Sequence, residues 1–522
     1  MKNINNMKIS TSFLLMLFLI GTVGCSDSFL DEADVFRELD SSTFYKTDAD
    51  AISAVNSVYA PLNDQGLFKR FYMYIAHFTG ETALTNGTRS NEQVYVNFNF
   101  NPASGDLIPK AWEECYKGIN RANQVIERVP EIDSPNEDLL NRVVAEAKFL
   151  RAFYYFELVK LYGNVPIYNQ VFNGDLSDDE QLFPLQSPPS AIYGVIEADL
   201  LDAIPDLPES YDNNNTGRAT SGAAKSLLGK AYLYNGEYQK SRDILNEVIT
   251  SGVYALESDF INIFPKSNEN NGESIFEVQF QSGFGAAFDQ PNRGGPNEAS
   301  WMNNWFSPAR IGFRNAVPGR QTIEFFEQFP EEDAIRRTGT YAQPGDVWGT
   351  WNPIADDPVA ANQWRDRVLV FPDPTLPFLG IRKYAGGPDD PDSFNQNANN
   401  YRAIRLADVL LMFAEAENEV NGPTSLAYSA VNQVRVRAGV DPFPEGLNTA
   451  DFFDRLRTER RLELTFEYSL FFDLVRWANS GKIQSSELPA IMPGFTVGKN
   501  EVLPIPEIEL IDNPNLDQND GY

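Results

Sequence analysis

The chain has 522 residues with a hydrophobic fraction of 42%, which is enough apolar material for a large folded core. Its formal net charge of −31 repels phosphate backbones, so we expect no nucleic acid partner and favour a neutral ligand. Two cysteines and one histidine are too few for a disulfide framework or a His/Cys metal site, and they argue against Ser-His or Cys-His catalysis.

The N-terminus has the pattern of a bacterial lipoprotein signal. A basic lead precedes the apolar run Phe13 to Ile20, and small residues lead directly to Cys25. The apolar run is too short to span a bilayer as a helix. We therefore predict a signal peptide at residues 1–24, and a lipidated Cys25 with an acidic tether at residues 25–40, which would anchor the protein to a membrane. The alternative is a plain cleaved signal with an incidental cysteine.

Helical signals dominate residues 41–253 and 401–480. Thr47-Asp-Ala-Asp50 resembles a capping box at the start of the first helix. Apolar residues at three- and four-residue steps make one broad stripe in the predicted helix 139–162, so this helix should be nearly surrounded by protein. Gly163 supplies its left-handed C-terminal stop.

Two stretches have the pattern of helical repeats. Leu228-Gly-Lys-Ala-Tyr232, the Asn235-Gly236 turn and a second helix from Tyr238 match a tetratricopeptide unit. A similar helix-turn-helix surrounds Asn421-Gly-Pro423. Further helices are predicted near residues 111–128, 139–162 and 190–204. A single helix pair cannot cover its own apolar face, so we expect about four degenerate repeats to stack into one mainly α-helical body.

Residues 254–400 differ in composition from the helical regions. They are rich in Gly, Pro, Asn and aromatic residues and have little periodicity, which predicts loops with short strands such as 274–280. Long structured loops on a rigid scaffold are a common place for ligand binding. We expect this segment to pack on the helical scaffold, so that residues 41–522, including a C-terminal tail at 481–522, form a single body.

Several motifs occur in order along nearly the entire mature chain. The most specific is Arg151-Ala-Phe-Tyr-Tyr-Phe-Glu-Leu-Val-Lys-Leu-Tyr-Gly-Asn-Val-Pro166. Others lie at residues 225–233, 405–417, 459–467, 473–477, 503–506 and 513–522. Together they resemble the SusD/RagB family of outer-membrane nutrient-binding lipoproteins of Bacteroidetes-type bacteria.

The resemblance implies a fold and a function. The fold would be a SusD-like α-helical body with four tetratricopeptide-like units and an irregular ligand-binding half. The function would be non-catalytic binding of an oligo- or polysaccharide at the cell surface, with delivery to a SusC-like TonB-dependent transporter that the lipoprotein covers as a lid. The alternatives are a protein-interaction scaffold or peptide binder with no glycan ligand and, more distantly, a surface glycosidase.

The charged residues inside these motifs are predicted to be structural. An isolated buried charge is costly, so we expect ion pairs and caps between helices rather than sugar contacts. The residues are Arg151, Arg405, Asp408, Glu415, Glu459, Arg460, Glu467, Asp473 and Arg476.

Five of the seven tryptophans cluster in the loop-rich region. They are Trp301, Trp305, Trp348, Trp351 and Trp364. The C–H faces of sugar rings can lie on such rings, while interleaved amides such as Asn304 pair with hydroxyl groups. This composition predicts a glycan site and, with the acidic charge, favours a neutral glucan. The alternative is that these tryptophans fill the core of a segment poor in Leu and Ile.

Two further predictions concern loops. The family resemblance implies that Glu81, Arg89 and Tyr95 line the ligand surface. Asp389-Asp390-Pro-Asp392 is loosely similar to an oxygen-rich calcium loop, although it lacks the glycine and terminal glutamate of an EF-hand. We expect no cofactor, apart from a structural calcium ion at that loop as an open alternative.

Overall fold

The computed structural model describes only part of the chain. The described residues are 44–79, 94–103, 107–172, 174–175, 177–281, 327, 329–342, 380–384 and 398–522. The predicted signal peptide and the tether up to residue 40 lie outside these ranges, so the boundaries proposed for them stay predictions.

The described residues are mostly helical, as the sequence predicts. The α-helices are α1 (Asp48–Tyr59), α2 (Phe71–Phe78), α3 (Ile108–Arg128), α4 (Glu137–Tyr162), α5 (Asp179–Leu182), α6 (Pro189–Ala203), α7 (Ser221–Tyr234), α8 (Tyr238–Thr250), α9 (Ala334–Thr340), α10 (Leu406–Asn421), α11 (Ser425–Arg437), α12 (Thr449–Glu463), α13 (Leu470–Asn479), α14 (Leu488–Ile491) and α15 (Glu507–Asp512). The strands are β1 (Val165–Pro166), β2 (Gln186–Ser187), β3 (Ser274–Val278), β4 (Tyr341–Ala342), β5 (Gly380–Ile381) and β6 (Tyr401–Arg405). Short 3₁₀ helices lie at Ala60–Asn63, Val129–Glu131, Phe260–Ile263, Lys266–Asn268 and Ser485–Glu487. The mainly α fold class is thus confirmed.

The first helix begins where the capping pattern predicts. The Thr47 hydroxyl accepts a hydrogen bond from the Asp50 backbone N–H at 3.2 Å, and the Asp50 carboxylate accepts from the Thr47 N–H at 2.9 Å. Each side chain therefore satisfies a backbone donor that the helix itself leaves open. The predicted capping box is confirmed.

Helix α4 is the central helix of the N-terminal part. It packs against α1, α3 and α6, and nearly all its residues from Ala145 onward are buried. The broad apolar stripe explains this burial, because every side of the helix meets protein. Gly163 ends it at a φ of +73°, a conformation that a residue with a Cβ adopts only with strain. Both predictions for this helix are confirmed.

Helices α7 and α8 form the predicted repeat unit. The Ser241 hydroxyl on α8 donates to the Gly229 carbonyl on α7 at 2.7 Å. A Cβ at Gly229 would overlap the Leu245 side chain, so glycine on one helix and serine on the other permit close approach. Helix α8 then packs against α10, which pairs with α11. The second predicted helix-turn-helix is therefore also present, and the pairs stack side by side.

The strands pair in short antiparallel ladders: β1 with β2, β3 with β6, and β4 with β5. In the second ladder Ser274 lies opposite Arg405, and Val278 lies opposite Tyr401. The predicted strand at 274–280 is present as β3. Residues 401–405, which we assigned to the helical scaffold, instead form β6. The Tyr401-Arg-Ala-Ile-Arg405 sequence is buried against β3, and that tertiary pairing overrides its local helical signal.

The charged motif residues form buried ion pairs, as predicted. Arg405 donates to Glu467 Oε2 at 2.6 Å, to Glu273 Oε1 at 2.7 Å and to Glu463 Oε1 at 2.8 Å. The remaining pairs are Arg151 with Asp199, Arg460 with Asp408 and Asp473, Arg476 with Glu415 and Asp473, and Glu459 with Arg336 and Arg435. These residues join elements that are distant in sequence, and their structural role is confirmed.

The C-terminal tail packs against the end of helix α4, more than 300 residues earlier in the chain. The Leu503 N–H donates to the Leu161 carbonyl at 2.7 Å, and Asn519 Nδ2 donates to the Tyr162 carbonyl at 2.9 Å. The tail thereby satisfies carbonyls at the C-terminus of α4 that the helix leaves open. Within the described ranges, no helix combines the length and apolar composition that crossing a membrane requires.

Candidate functional site

Most residues of the predicted glycan site lie outside the described residues. This group comprises Trp301, Trp305, Trp348, Trp351, Trp364, Glu81, Arg89 and Asn304, together with the lipidation site Cys25 and the Asp389–Asp392 loop. Their roles stay predictions. What the structure does describe is Tyr95 and the scaffold to which these segments connect.

Tyr95 lies in an aromatic cluster inside the core. Its side chain is 1% exposed, and its ring stacks on Tyr74 with centroids 4.7 Å apart. In the same cluster the Phe78 and Phe98 rings lie 5.0 Å apart. Phe78 and Phe98 flank residues 80–93, so the cluster holds both ends of the segment that carries Glu81 and Arg89. Tyr95 is therefore a core residue in the described structure, and its contact with a ligand stays a prediction.

Both ends of the tryptophan-rich region are also fixed. The Phe280 N–H, at the end of β3, donates to Asn400 Oδ1 at 2.8 Å, and Asn400 Nδ2 donates to Glu277 Oε2 at 3.0 Å. Tyr341 of β4 pairs with Ile381 of β5, which brings together the two ends of residues 343–379. The segment 343–379, which contains Trp348, Trp351 and Trp364, therefore starts and finishes on a pair of strands, and the chain leading to Trp301 and Trp305 starts just beyond β3.

A cleft of about 530 Å³ opens beside the end of β3. Its lining comes from the end of α1 and the 3₁₀ turn after it, from the loop 214–218, and from residues 276–281. We call it the amide cleft, because side-chain amides dominate its polar lining: Asn56, Asn63, Asn214, Asn215, Gln279 and Gln281. Gln281 is followed directly by the chain that leads to the first two predicted stacking tryptophans.

Arg218 organises the floor of the amide cleft. Its guanidinium donates to Glu146 Oε2 at 2.9 Å, to Asn56 Oδ1 at 2.8 Å and to Asn215 Oδ1 at 3.0 Å. The Tyr59 hydroxyl donates to the same Glu146 oxygen at 2.8 Å. These bonds link α1, α4 and the 214–218 loop, so the polar groups around the floor are held in place before any ligand arrives.

The charge of this floor is constant around neutral pH. Burial raises the pKa of Tyr59 well above its usual value, and the neighbouring Glu146 carboxylate adds to the shift. Burial alone would lower the pKa of Arg218, but Glu146 outweighs it and raises the pKa. Tyr59 therefore stays neutral and Arg218 stays positive. Because Arg218 is paired with fully buried Glu146, the floor offers hydrogen bonds rather than net charge.

Gly217 sets the distance between the loop and β3. Its φ is +89°, and a Cβ at this position would overlap the Gln279 side chain. Glycine is thus required by both the backbone conformation and the close approach. The contact positions Gln279, whose Oε1 accepts from Asn400 Nδ2 at 2.9 Å. Gln279 therefore connects the amide cleft to Asn400, the residue that holds Phe280 at the start of the tryptophan-rich region.

The rim of the amide cleft carries uncommitted hydrogen-bonding capacity. The side-chain amides of Asn63, Asn214 and Gln281 form no hydrogen bond with other described residues, and each offers two donors and an acceptor. The carboxylate in the lining, Glu277, is buried and lies 3.4 Å from Arg402 Nε. Such a surface suits a neutral ligand rich in hydroxyl groups. Among the described residues, no cluster of His, Cys, Asp and Glu is arranged to hold a metal ion.

Sequence reasoning missed the amide cleft. A usable signal was present in the run Asn213-Asn-Asn215 followed by Thr216-Gly217, since consecutive amides before a glycine predict an exposed polar turn. The pairing of Arg218 with Glu146 of α4 had no such signal, because residues 72 positions apart meet only in the folded chain.

Comparison with known proteins gives a consistent picture. Residues 377–522 match the model of the SusD family, and residues 29–233 match a model described as starch-binding, associating with the outer membrane. The chain is 27% identical to SusD-like protein P25 of Formosa agariphila over 99% of both chains, and 28% identical to SusD-like protein P2 of the same organism over 99% of this chain and 100% of the relative. A solved structure titled as a laminarin binding SusD-like protein is 27% identical, with a TM-score of 0.73 over 91% of this chain and 100% of the other.

Proposed function

The chain belongs to the SusD family, and on that premise we propose that it is a lipid-anchored surface protein that binds a neutral glucan without cleaving it. The observation that carries the proposal is the similarity in sequence and fold to a laminarin-binding member, over nearly the whole of both chains. The binding surface would combine the tryptophan-rich segment with the amide cleft.

The chemistry of the described residues supports a neutral ligand. The overall charge of −31 disfavours polyanions. The amide cleft adds hydrogen-bonding groups whose charges are internally paired, as for Arg218 with Glu146. Sugar hydroxyls match amide donors and acceptors, and aromatic rings match the apolar faces of sugar rings. A laminarin-type glucan satisfies each of these requirements.

We further propose that Cys25 carries the lipid anchor at the outer membrane and that a SusC-like TonB-dependent transporter receives the glycan. These steps are what family membership implies. A Cys25→Ala variant should be released from the membrane fraction into the soluble fraction. The wild-type protein should co-purify with a β-barrel transporter from detergent-solubilised outer membranes. If the Cys25→Ala variant stayed in the membrane fraction, the proposed lipid anchor would be refuted. The proposal of glycan binding would be unaffected.

The first test of glycan binding is affinity electrophoresis of the chain lacking residues 1–25. Native gels would contain laminarin or, as an anionic comparison, alginate. We expect laminarin to retard the protein, and a Trp301→Ala, Trp305→Ala, Trp348→Ala variant to lose that retardation. Incubation of the protein with laminarin should release no reducing ends, because binding is not followed by hydrolysis.

The amide cleft is tested with a separate variant. Asn63→Ala, Asn214→Ala and Gln281→Ala together remove up to three hydrogen bonds, each with a typical net value of about 1 kcal/mol, so affinity for laminarin should fall about tenfold or more. The matched control is Asn141→Ala with Asn246→Ala, two exposed amides on α4 and α8 that also lack side-chain partners among the described residues. If no polysaccharide retards the folded wild-type protein, the glycan proposal fails and protein partners become the object of the search.

A further inference from the structure

A second cleft has a lining distinct from that of the amide cleft. It has a volume of about 510 Å³ and lies between α3, the loop 166–172, α5 and the C-terminal tail. We call it the tail cleft. The lining residues on which the inference depends are Trp112, Tyr116, Asn120, Tyr168, Gln170 and Phe172. None of them lines the amide cleft, so the two are separate sites.

The tail cleft has an aromatic wall. The Tyr116 and Tyr168 rings meet edge to face with centroids 5.5 Å apart, and the Trp112 ring lies 5.0 Å from that of Tyr116. Phe172 is 40% exposed, although it is large and apolar. An exposed aromatic ring beside two half-buried tyrosines makes a flat apolar surface that is open to solvent. Such surfaces often mark a binding site.

This wall is held rigidly. The Tyr116 hydroxyl donates to the Pro166 carbonyl at 2.8 Å, and the Tyr168 carbonyl accepts from the Tyr155 hydroxyl at 2.8 Å and from Asn123 Nδ2 at 3.0 Å. Asn123 is in turn fixed by Arg151 at 2.7 Å. The family motif that begins at Arg151 therefore supports the loop that carries the wall, and little ordering is needed when a ligand binds.

The rim of the tail cleft is polar. Asn120 and Gln170 are exposed, and their side-chain amides form no hydrogen bond with other described residues. Gln181 lies on the same rim, where its side-chain amide donates to the Val171 carbonyl at 3.2 Å. Glu113 and Glu509 add two carboxylates, and Lys117, which is paired with Glu114 at 2.8 Å, adds one cation, so the charged lining is net negative and disfavours anionic ligands. The flat aromatic rings match the C–H face of a sugar ring. The surrounding amide and carboxylate groups match its hydroxyl groups.

We propose that the tail cleft is a second saccharide-binding site that holds a short stretch of a neutral glycan, and that its lining is distinct from that of the amide cleft. Its volume lies within the range of ligand pockets of about 300–1,000 Å³. The inference rests on the proposed function, since both sites would bind the same polysaccharide. Two sites on one protein would increase the residence time of a long chain, because binding at the second site becomes intramolecular.

The test uses the chain lacking residues 1–25 and laminarihexaose as the probe. Asn120→Ala with Phe172→Ala removes an uncommitted amide and the exposed ring, and both positions tolerate truncation because they are exposed. The matched control is Asn246→Ala with Leu426→Ala, an exposed amide and an exposed apolar side chain far from the cleft residues in sequence. Titration calorimetry gives the number of sites, and hydrogen exchange of residues 166–182 reports occupancy of the cleft.

The expected result is two sites in the wild type and protection of residues 166–182 on addition of laminarihexaose. The Asn120→Ala, Phe172→Ala variant should lose that protection and bind at its second site at least about tenfold more weakly, while the control behaves as wild type. The Trp301→Ala, Trp305→Ala, Trp348→Ala variant should keep the protection. One site in the wild type, with no protection at 166–182, overturns the tail cleft and leaves the proposed function intact. No heat and no protection with any glucan overturns both.

Discussion

The helical scaffold and the junction around Arg405 are both buried, yet different interactions hold them. In the scaffold, α4 packs against α3 and α6 and carries many fully buried apolar side chains such as Leu158, beside one buried ion pair, Arg151 with Asp199 of α6. At the junction, Arg405 joins β6 to α12 and to the residue before β3 through carboxylates. Lys383, beside β5, donates to Glu467 at 2.8 Å in the same cluster.

The difference follows from the local sequence. Periodic helices present apolar stripes, and the packing of such stripes is largely non-directional. The short strands and irregular segments have no stripe, so charge-assisted hydrogen bonds with fixed geometry position them instead. Buried ion pairs contribute little net stability compared with apolar groups of the same shape. At the junction they specify where β3, β5 and β6 lie, while pairs such as Arg151 with Asp199 and Arg460 with Asp408 fix one scaffold helix against another.

The largest effect is expected at Arg405. Arg405→Met keeps much of the side-chain volume but leaves Glu273, Glu463 and Glu467 without their shared cation. Removal of one partner from a buried pair costs about 3–5 kcal/mol, so the free energy of unfolding, measured in urea, should fall by about that amount at pH 7. The control is Arg455→Met on the exposed face of α12, which should change it by less than about 0.5 kcal/mol. Equal stability of both variants would mean that apolar packing holds the junction as well.

Leu158→Ala tests the scaffold side of the comparison. Truncation of a fully buried leucine should lower the free energy of unfolding by about 2–5 kcal/mol, whereas Leu426→Ala at an exposed site should change it little. The loss at Leu158 should be the same at pH 7 and pH 5, since no charge is involved. A loss that depends strongly on pH would show that the two regions are not energetically distinct.

Acidity should weaken the junction through Glu463. Burial alone would raise the pKa of this carboxyl, but Arg437, Arg405 and Arg336 outweigh burial and hold the pKa well below its usual range. A depressed folded-state pKa gives stability that is present above the unfolded pKa of about 4.3 and is lost as pH falls below it. The free energy of unfolding of wild type should therefore decline from about pH 5 downward, and Glu463→Gln should flatten that decline. An unchanged slope in the variant would assign the acid sensitivity to other carboxylates.

A smaller effect of opposite sign is expected at Glu269, which accepts from the Asn400 N–H at 2.7 Å. Burial raises its pKa to about 7, against a lowering by the Asn400 hydrogen bond and Arg402. A raised folded-state pKa gives stability that is complete below about pH 4.3 and is lost as pH rises toward 7. Glu269→Gln should remove this loss between about pH 4.3 and 7, and unfolding at pH 5, 6 and 7 would measure it. A wild-type curve that does not fall over this window contradicts the assignment.

The features that could be predicted from the sequence belong mostly to the helical scaffold, and those that could not belong mostly to the junction around Arg405. The capping box at Thr47, the buried stripe of α4 and the stop at Gly163 depend on neighbours within a few residues, so a single sequence suffices. The structural role of Arg405 was predictable from the cost of an isolated buried charge, but its partners were not. Glu273 and Glu467 lie 132 and 62 residues away, and no periodicity connects them. The strand β6 was mistaken for helix for the same reason.

The amide cleft shows how far a binding site can be predicted from the sequence alone. Aromatic clustering and family resemblance directed attention to the tryptophans, which lie outside the described residues. The cleft next to their segment is built instead around Arg218, which donates to Asn56 and Asn215 and is paired with Glu146, a buried residue of α4. Composition could suggest a polar turn at Asn213–Asn215, but only the folded chain places that turn against α1.

The position of the C-terminal tail has a consequence for biosynthesis. Asn519 binds the Tyr162 carbonyl 357 residues earlier in the chain, and Glu509 and Asn513 form one wall of the tail cleft. Helix α4 leaves the ribosome long before these partners are translated, so its Leu161 and Tyr162 carbonyls have no tail partner until residues 503–519 are made. Contacts of such sequence separation slow folding, and a nascent chain that lacks them stays incomplete. The residues that complete this part of the fold therefore also delay it until they themselves have been translated.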